Sequence, residues 1–162
     1  MRFTDKSLNQ KITETAETGR KCNCSGQMGP CPMNGNCLVK SVVYKAEVCD
    51  ENQNTETYTG LTSRTFKDRF YNHRSSFNHQ DSEHSTTLST HIWKLKNDGT
   101  NFNIKWEVLA KARAFNPNTR KCSLCIKEKF FIMFNPSGAS LNQRSEFFAT
   151  CRHRKQKLLE NI

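Results

Sequence analysis

The sequence predicts an α/β (α+β) fold: a small three-stranded, mainly antiparallel sheet flanked by helices, with a Cys-rich zinc-binding appendage at its N-terminal side. Three observations carry this. The β-branched, alternating runs "VVYKAEV" (42–48) and "ETYTGL" (56–61) flank the polar "DENQNT", the pattern of a hairpin. Stretches of helical apolar spacing separate that hairpin from a third alternating run, "FNIKWEVLAKA" (102–112). Four of the eight cysteines crowd into "KCNCSGQMGPCPMNGNCLVK" (21–40), which is too rich in Gly, Pro and Asn to build an apolar core.

In chain order, residues 1–20 lack an apolar stripe and are expected to form a flexible lead-in, and 21–40 a segment ordered by metal. Residues 41–162 form the main domain. Its hairpin is followed by a helix over 63–77, a polar loop "QDSEHST", and a helix over 87–97 ended near Gly99. The third strand leads through "NPNTRK" to a helix over 122–134, which "NPSGAS" breaks. A final helix is expected over 142–159, with the basic "RHRKQK" near its end. The order ββααβ-α-α is that of a small sheet covered by helices.

A chain of 162 residues has room for one compact domain and a small appendage. Its 25 basic against 15 acidic residues give a net charge of +10, which favours polyanionic partners, nucleic acid first. The polar N-terminus has no apolar core of a secretory signal, and no run approaches the ~20 apolar residues of a membrane span. An intracellular location is therefore expected. In a reducing compartment, eight cysteines point to metal ligation before disulfides.

Cys22, Cys24, Cys31 and Cys37 form C-x-C-x6-C-x5-C in a segment with no other source of order. Four thiolates around Zn²⁺ would supply it, because structural zinc is tetrahedral and contributes folding energy. Cys122 and Cys125 have the spacing of a zinc half-site at a helix start. Cys151 and His153 in "CRH" are the preferred second half, with His91 in "STHIW" competing for a ligand place. Cys49, in the hairpin, reads as a free thiol.

Two further features concern reactive groups. In "YTGLTSRTFKDRFYNHR" (58–74), Phe66, Phe70, His73 and Phe77 follow helical spacing, and Arg69 lies one turn before His73. Arg69 offers a permanently charged fork suited to a phosphate oxygen, and His73 can position or transfer a proton. Taken alone, the pair is read first as a snorkelling arginine and a locally bonded histidine, the bland alternative to a phosphate-handling site. In "CSLCIKEKFFIMF", Glu128 falls on the same helical face as Leu124, Phe131 and Ile132. A carboxylate inside an apolar stripe calls for a partner, either a basic side chain or a hard divalent cation.

Together these features resemble the GIY-YIG nuclease family. "VVY" (42–44) stands where that family has its first motif and "YTG" (58–60) where it has its second. Arg69, His73, Glu128 and Asn142 follow in order at approximate family spacing. The resemblance covers roughly 42–142, with Val42 in place of the first Gly and Thr59 in place of Ile. Among subfamilies, the chain looks most like the endonuclease domain of Penelope-like retroelements. The features responsible are the Cys-rich lead-in, "LSTHIWKLK", "KCSLCIKEKFFI" and "LNQRSEFFATCRHR".

The resemblance implies a DNA endonuclease that hydrolyses phosphodiester bonds with one Mg²⁺ or Mn²⁺ on Glu128. Arg69 would stabilise the pentavalent transition state, and Tyr44, with Tyr58 nearby, would orient or deprotonate the attacking water. His73 would assist proton handling, and Asn142 would hold the phosphate or the geometry of the site. In a retroelement, a nick would expose a 3′-hydroxyl that primes reverse transcription in the nucleus. A reverse transcriptase domain of the same polyprotein and its RNA would then be partners, and a membrane would not. Two rivals share the basic charge and the cysteines: an inactive zinc-containing nucleic-acid-binding module, and a structure-specific repair nuclease of the same family.

Overall fold

The computed structural model describes residues 19–25, 29–113, 115–142 and 150–153. Strand β1 (Lys40–Asp50) and strand β2 (Thr55–Thr65) form an antiparallel hairpin. Asp50 closes its turn: one carboxylate oxygen accepts from the amides of Asn52 and Asn54 at 2.9 and 2.8 Å, and the other from the Asn54 carboxamide at 2.9 Å. Strand β3 (Phe102–Lys111) pairs antiparallel with the other edge of β1, giving the order β2-β1-β3. Paired on both edges, β1 buries Ser41 to Tyr44, then Ala46 and Val48. The register with β3 shifts between Val43 and Tyr44, so a bulge lies beside Tyr44.

The α+β class predicted from sequence is the one observed, with helices α1 (Phe66–Asn78), α2 (Thr87–Asn97) and α3 (Ser123–Phe134). Helix α1 starts three residues later than the expected 63. Strand β2 stays paired to β1 through Thr65, and Thr65 then caps the helix by accepting from the Asp68 amide at 3.1 Å. Helix α2 has the expected bounds, with Thr86 as its cap and Gly99 at φ 68 past its end. No helix among the described residues is long and apolar enough to cross a membrane.

Period-two alternation in β1 sorts the core onto two faces. Val42, Tyr44, Ala46 and Val48 join Tyr58 and meet Phe66 of α1 and Leu88, Ile92 and Leu95 of α2. Val43 and Leu61 look the other way, onto Leu124 of α3 and the cysteines Cys122, Cys125 and Cys151. Further along that second face, Lys45 is bridged by Glu107 at 3.0 Å and Glu47 at 3.6 Å, so the apolar layer there is confined to the α3 end.

The outer edge of β2 is paired rather than open. Leu141 donates its amide to the Thr57 carbonyl at 2.8 Å, and Ser140 Oγ accepts from the Thr57 amide at 2.8 Å. One expectation needs correction. Of the tail expected to be helical over 142–159, residues 143–149 and 154–162 lie outside the described residues, and 150–153 are not helical. The reason is geometric: Cys151 and His153 both reach the same two cysteines of α3, whereas residues two apart on a helix face nearly opposite ways. The lead-in expected over 1–20 lies outside the described residues up to 18.

Candidate active site and metal centres

Four side chains from three elements meet beneath the β1–β2 hairpin. Tyr44 is fully buried on the central strand, Tyr58 is buried on β2, His73 is buried on α1, and Arg69 is half-buried one turn earlier. Tyr44 Oη lies 2.7 Å from His73 Nε2 and accepts from Arg69 Nε at 2.9 Å. Arg69 can only donate, so giving every donor an acceptor sends the tyrosine's single proton to Nε2 of a neutral His73. Burial, reinforced by the Arg69 charge, pushes the His73 pKa down to about 3, so the ring is neutral at physiological pH. Aromatic rings enclose it, with Trp106 at 5.5 Å and Phe77 stacked at 5.9 Å between centroids. The bland reading of Arg69 and His73 therefore does not describe them: both are bonded to the same buried phenol.

Burial raises the pKa of both tyrosines. The neighbouring Tyr58 adds to the effect on Tyr44, and Arg69 opposes it at both. Without a further cation, each phenol keeps its proton. Gly60 lies opposite Tyr44 in the hairpin register and leaves the room the phenol occupies. A Cβ there would stand 2.5 Å from Tyr44 Oη and 2.9 Å from Tyr58 Cε1. Rigid rings cannot yield as a flexible chain end would, so Gly60→Ala is expected to destabilise the fold by about 1–3 kcal/mol. Denaturant unfolding beside the parent protein measures this, and an unchanged midpoint would contradict the packing described.

Glu128 is buried on α3 at 2% exposure, and burial raises its pKa against the opposing charges of Arg152, Lys129 and Arg69. Its Oε1 meets Arg152 Nη2 at 3.4 Å. Of the two partners expected for this carboxylate, the structure thus contains the basic side chain. Tyr58, Arg69, His73, Lys129 and Arg152 line an open cavity of about 800 Å³ that continues past hydroxyl side chains at the start of α2. Asn142 spans the backbone of Thr59: its Oδ1 accepts from the amide at 2.7 Å and its Nδ2 donates to the carbonyl at 2.8 Å. With both ends of the carboxamide engaged, it holds the edge of β2 next to Tyr58. Of its two expected roles, holding the geometry is the one this arrangement fits.

Two clusters could hold a metal ion such as zinc, and they group the cysteines as the spacing suggested. The ligand atoms of Cys22, Cys24, Cys31 and Cys37 lie within 4.8 Å of one another, as do those of Cys122, Cys125, Cys151 and His153. In the first, Cys37 Sγ stands 3.6 Å from both Cys22 and Cys24 sulfurs. In the second, the Cys151 and Cys125 sulfurs are 3.7 Å apart, and His153 Nδ1 is 3.3 and 3.4 Å from the sulfurs of Cys122 and Cys125. A tetrahedron of sulfurs ~2.3 Å from zinc has edges of ~3.8 Å, far from the ~2.05 Å of a disulfide. Burial opposes ionisation of Cys31, yet the Met33 and Gly35 amides bring it down to about 6. Burial and neighbouring thiols push Cys37 up to about 12, so ionising all four together calls for a cation.

His91 does not join either cluster; it lies on α2 among the charges of Glu56, Lys94 and Asp50. Cys49 is exposed and free. The first cluster is docked on the main domain: the carbonyls of Val39 and Cys37 accept from the first amides of α1, Phe66 and Lys67, both at 2.8 Å. The second lies at the start of α3, with Cys125 one turn before Glu128.

Sequence reasoning missed Arg152 as the partner of Glu128. A residue flanked by two ligands two positions apart has its backbone fixed, and that was the available signal. No protein family matches the chain, and no curated protein or solved structure is significantly similar to it.

Proposed function

We propose that this chain is a metal-dependent DNA endonuclease of the GIY-YIG type, stabilised by zinc, that nicks a DNA strand. The observation that carries the reading is the buried Tyr44–His73–Arg69 hydrogen-bonded group, whose arginine and histidine line a cavity shared with Lys129 and with Arg152, the residue that reaches the Glu128 carboxylate. Structural ion pairs do not require a neutral buried histidine accepting from a phenol that also holds an arginine.

The donors suit a hard divalent cation. Glu128 offers one carboxylate, and an open polar cavity leaves room for the waters that Mg²⁺ retains. Such a cation on Glu128 would neutralise charge on the scissile phosphate. The remaining chemistry belongs to the chain. Arg69 hydrogen-bonds the non-bridging oxygens as negative charge builds on them. Tyr44 Oη, its own proton held on His73 Nε2 at 2.7 Å, accepts a hydrogen bond from the attacking water and orients it, and cavity water takes the proton that the attacking water gives up. The water oxygen bonds to phosphorus, the P–O3′ bond breaks, and O3′ leaves as a hydroxyl after taking a proton from cavity water. Tyr58 orders the attacking water, and Asn142 keeps Tyr58 in place through Thr59. In the retroelement setting that the resemblance implies, the freed 3′-hydroxyl would prime reverse transcription in the nucleus.

Incubation of supercoiled plasmid with Mg²⁺ tests this reading. The parent protein is expected to produce open circles, and Arg69→Ala to lose roughly a hundredfold or more in rate. Equal rates for parent and variant would overturn the role of Arg69. A folded, zinc-loaded parent that retards DNA without cutting it would favour the binding module instead.

A further inference from the structure

Arg152 occupies a place that the proposed chemistry does not use. Its neighbours in sequence, Cys151 and His153, both belong to the second metal cluster, and its own amide donates to the Cys125 sulfur. Three points of one metal centre therefore hold its backbone. Its side chain is 55% exposed, lines the cavity shared with Arg69 and Lys129, and reaches Glu128 Oε1 at 3.4 Å. The backbone is fixed and the guanidinium can swing.

Building on the endonuclease reading, the geometry points to Arg152 as a second phosphate-binding guanidinium, tethered by the zinc centre and held on Glu128 until a divalent cation and DNA displace it. A buried carboxylate cannot serve a divalent cation and a guanidinium equally. Once the cation takes Glu128, like-charge repulsion drives Arg152 toward the cavity, where a DNA phosphate is the anion on offer. The forked donors of arginine match two phosphate oxygens, which a lysine would meet only as a point charge. The zinc centre, on this account, positions an arginine of the substrate site besides holding the end of α3.

The test uses the full zinc-loaded chain and its Arg152→Ala and Arg152→Lys variants. Mn²⁺ binding without DNA is read by titration, and plasmid nicking by the split between KM and kcat. Both variants retain Cys151 and His153, so zinc content is expected to equal the parent's. With the competing guanidinium gone, Arg152→Ala is expected to bind Mn²⁺ about threefold or more tighter, and with the phosphate contact gone its KM for plasmid rises about tenfold. Arg152→Lys falls between. These effects have opposite signs, whereas a merely structural role would weaken both. Unchanged Mn²⁺ affinity and KM in a nicking-competent background, or a loss in both, would overturn the assignment. A parent that binds zinc but does not nick overturns the endonuclease reading and removes this role with it.

Discussion

Glu128→Gln is expected to lower nicking by roughly a thousandfold while leaving the fold intact. The amide keeps the size of the side chain and its place on α3 but gives up the charge that would hold a hard cation. Because burial raises the Glu128 pKa above its ordinary value, the folded state favours the protonated form. Ionisation at neutral pH therefore works against folding, and the neutral amide escapes this cost. In buffer without Mg²⁺, the variant's Tm should equal or exceed the parent's at neutral pH, with the difference shrinking as pH falls toward the ordinary carboxylate range. Nicking at the parent rate would remove Glu128 from the reaction. A large drop in Tm would make its role structural.

Cys125→Ser carries the largest expected effect on stability. Its sulfur is buried in the second cluster, 3.7 Å from the Cys151 sulfur and 3.4 Å from His153 Nδ1. The same cysteines form much of the apolar layer between Val43, Leu61 and Leu124, so metal and core are lost together. A loss of about 4 kcal/mol or more is expected, roughly 10 °C in Tm. Metal analysis should fall from two zinc ions per parent chain to about one. Nicking should fail as well, because Glu128 lies one turn further along α3 and Arg152 hangs from the same centre. Cys49→Ser, at the exposed free thiol, serves as the control and should change nothing. A Cys125→Ser chain with parental zinc content and Tm would show that these four residues hold no metal.

What was legible in the sequence followed from short-range pattern. The hairpin could be read from alternation on either side of "DENQNT", and α2 from its apolar spacing and the Gly99 that ends it. Glu128 stood out because a charge inside an apolar stripe needs a partner, wherever that partner comes from. Spacing suggested the first cluster and the Cys122–Cys125 half-site, while Cys151 and His153 were only the preferred second half, with His91 left open until the structure joined them. The relations that were not legible depend on register and on distant packing. Nothing local places Tyr44 Oη on His73, 29 positions away, until strand β1 is registered against β2 and α1 crosses its face. The extension of β2 to Thr65 was hidden because Ser63 and Thr65 are equally good helix caps, and only pairing with Lys40 decides between them. At 150–153 the expected helix was misread because the local periodicity suits a helix, while two candidate metal ligands two residues apart demand a turn. The pairing of Arg152 with Glu128 was missed for the same reason.

The reading of Tyr44, His73, Arg69 and Glu128 as one phosphodiester-cleaving site is tested most directly by the products of a single reaction. Zinc-loaded parent protein is incubated with supercoiled plasmid and Mg²⁺, and the nicked circles are then offered to a DNA polymerase. The account predicts open circles that form only with Mg²⁺ or Mn²⁺ and whose 3′ ends the polymerase extends. A folded protein carrying two zinc ions that leaves the plasmid supercoiled at every Mg²⁺ and Mn²⁺ concentration would contradict it.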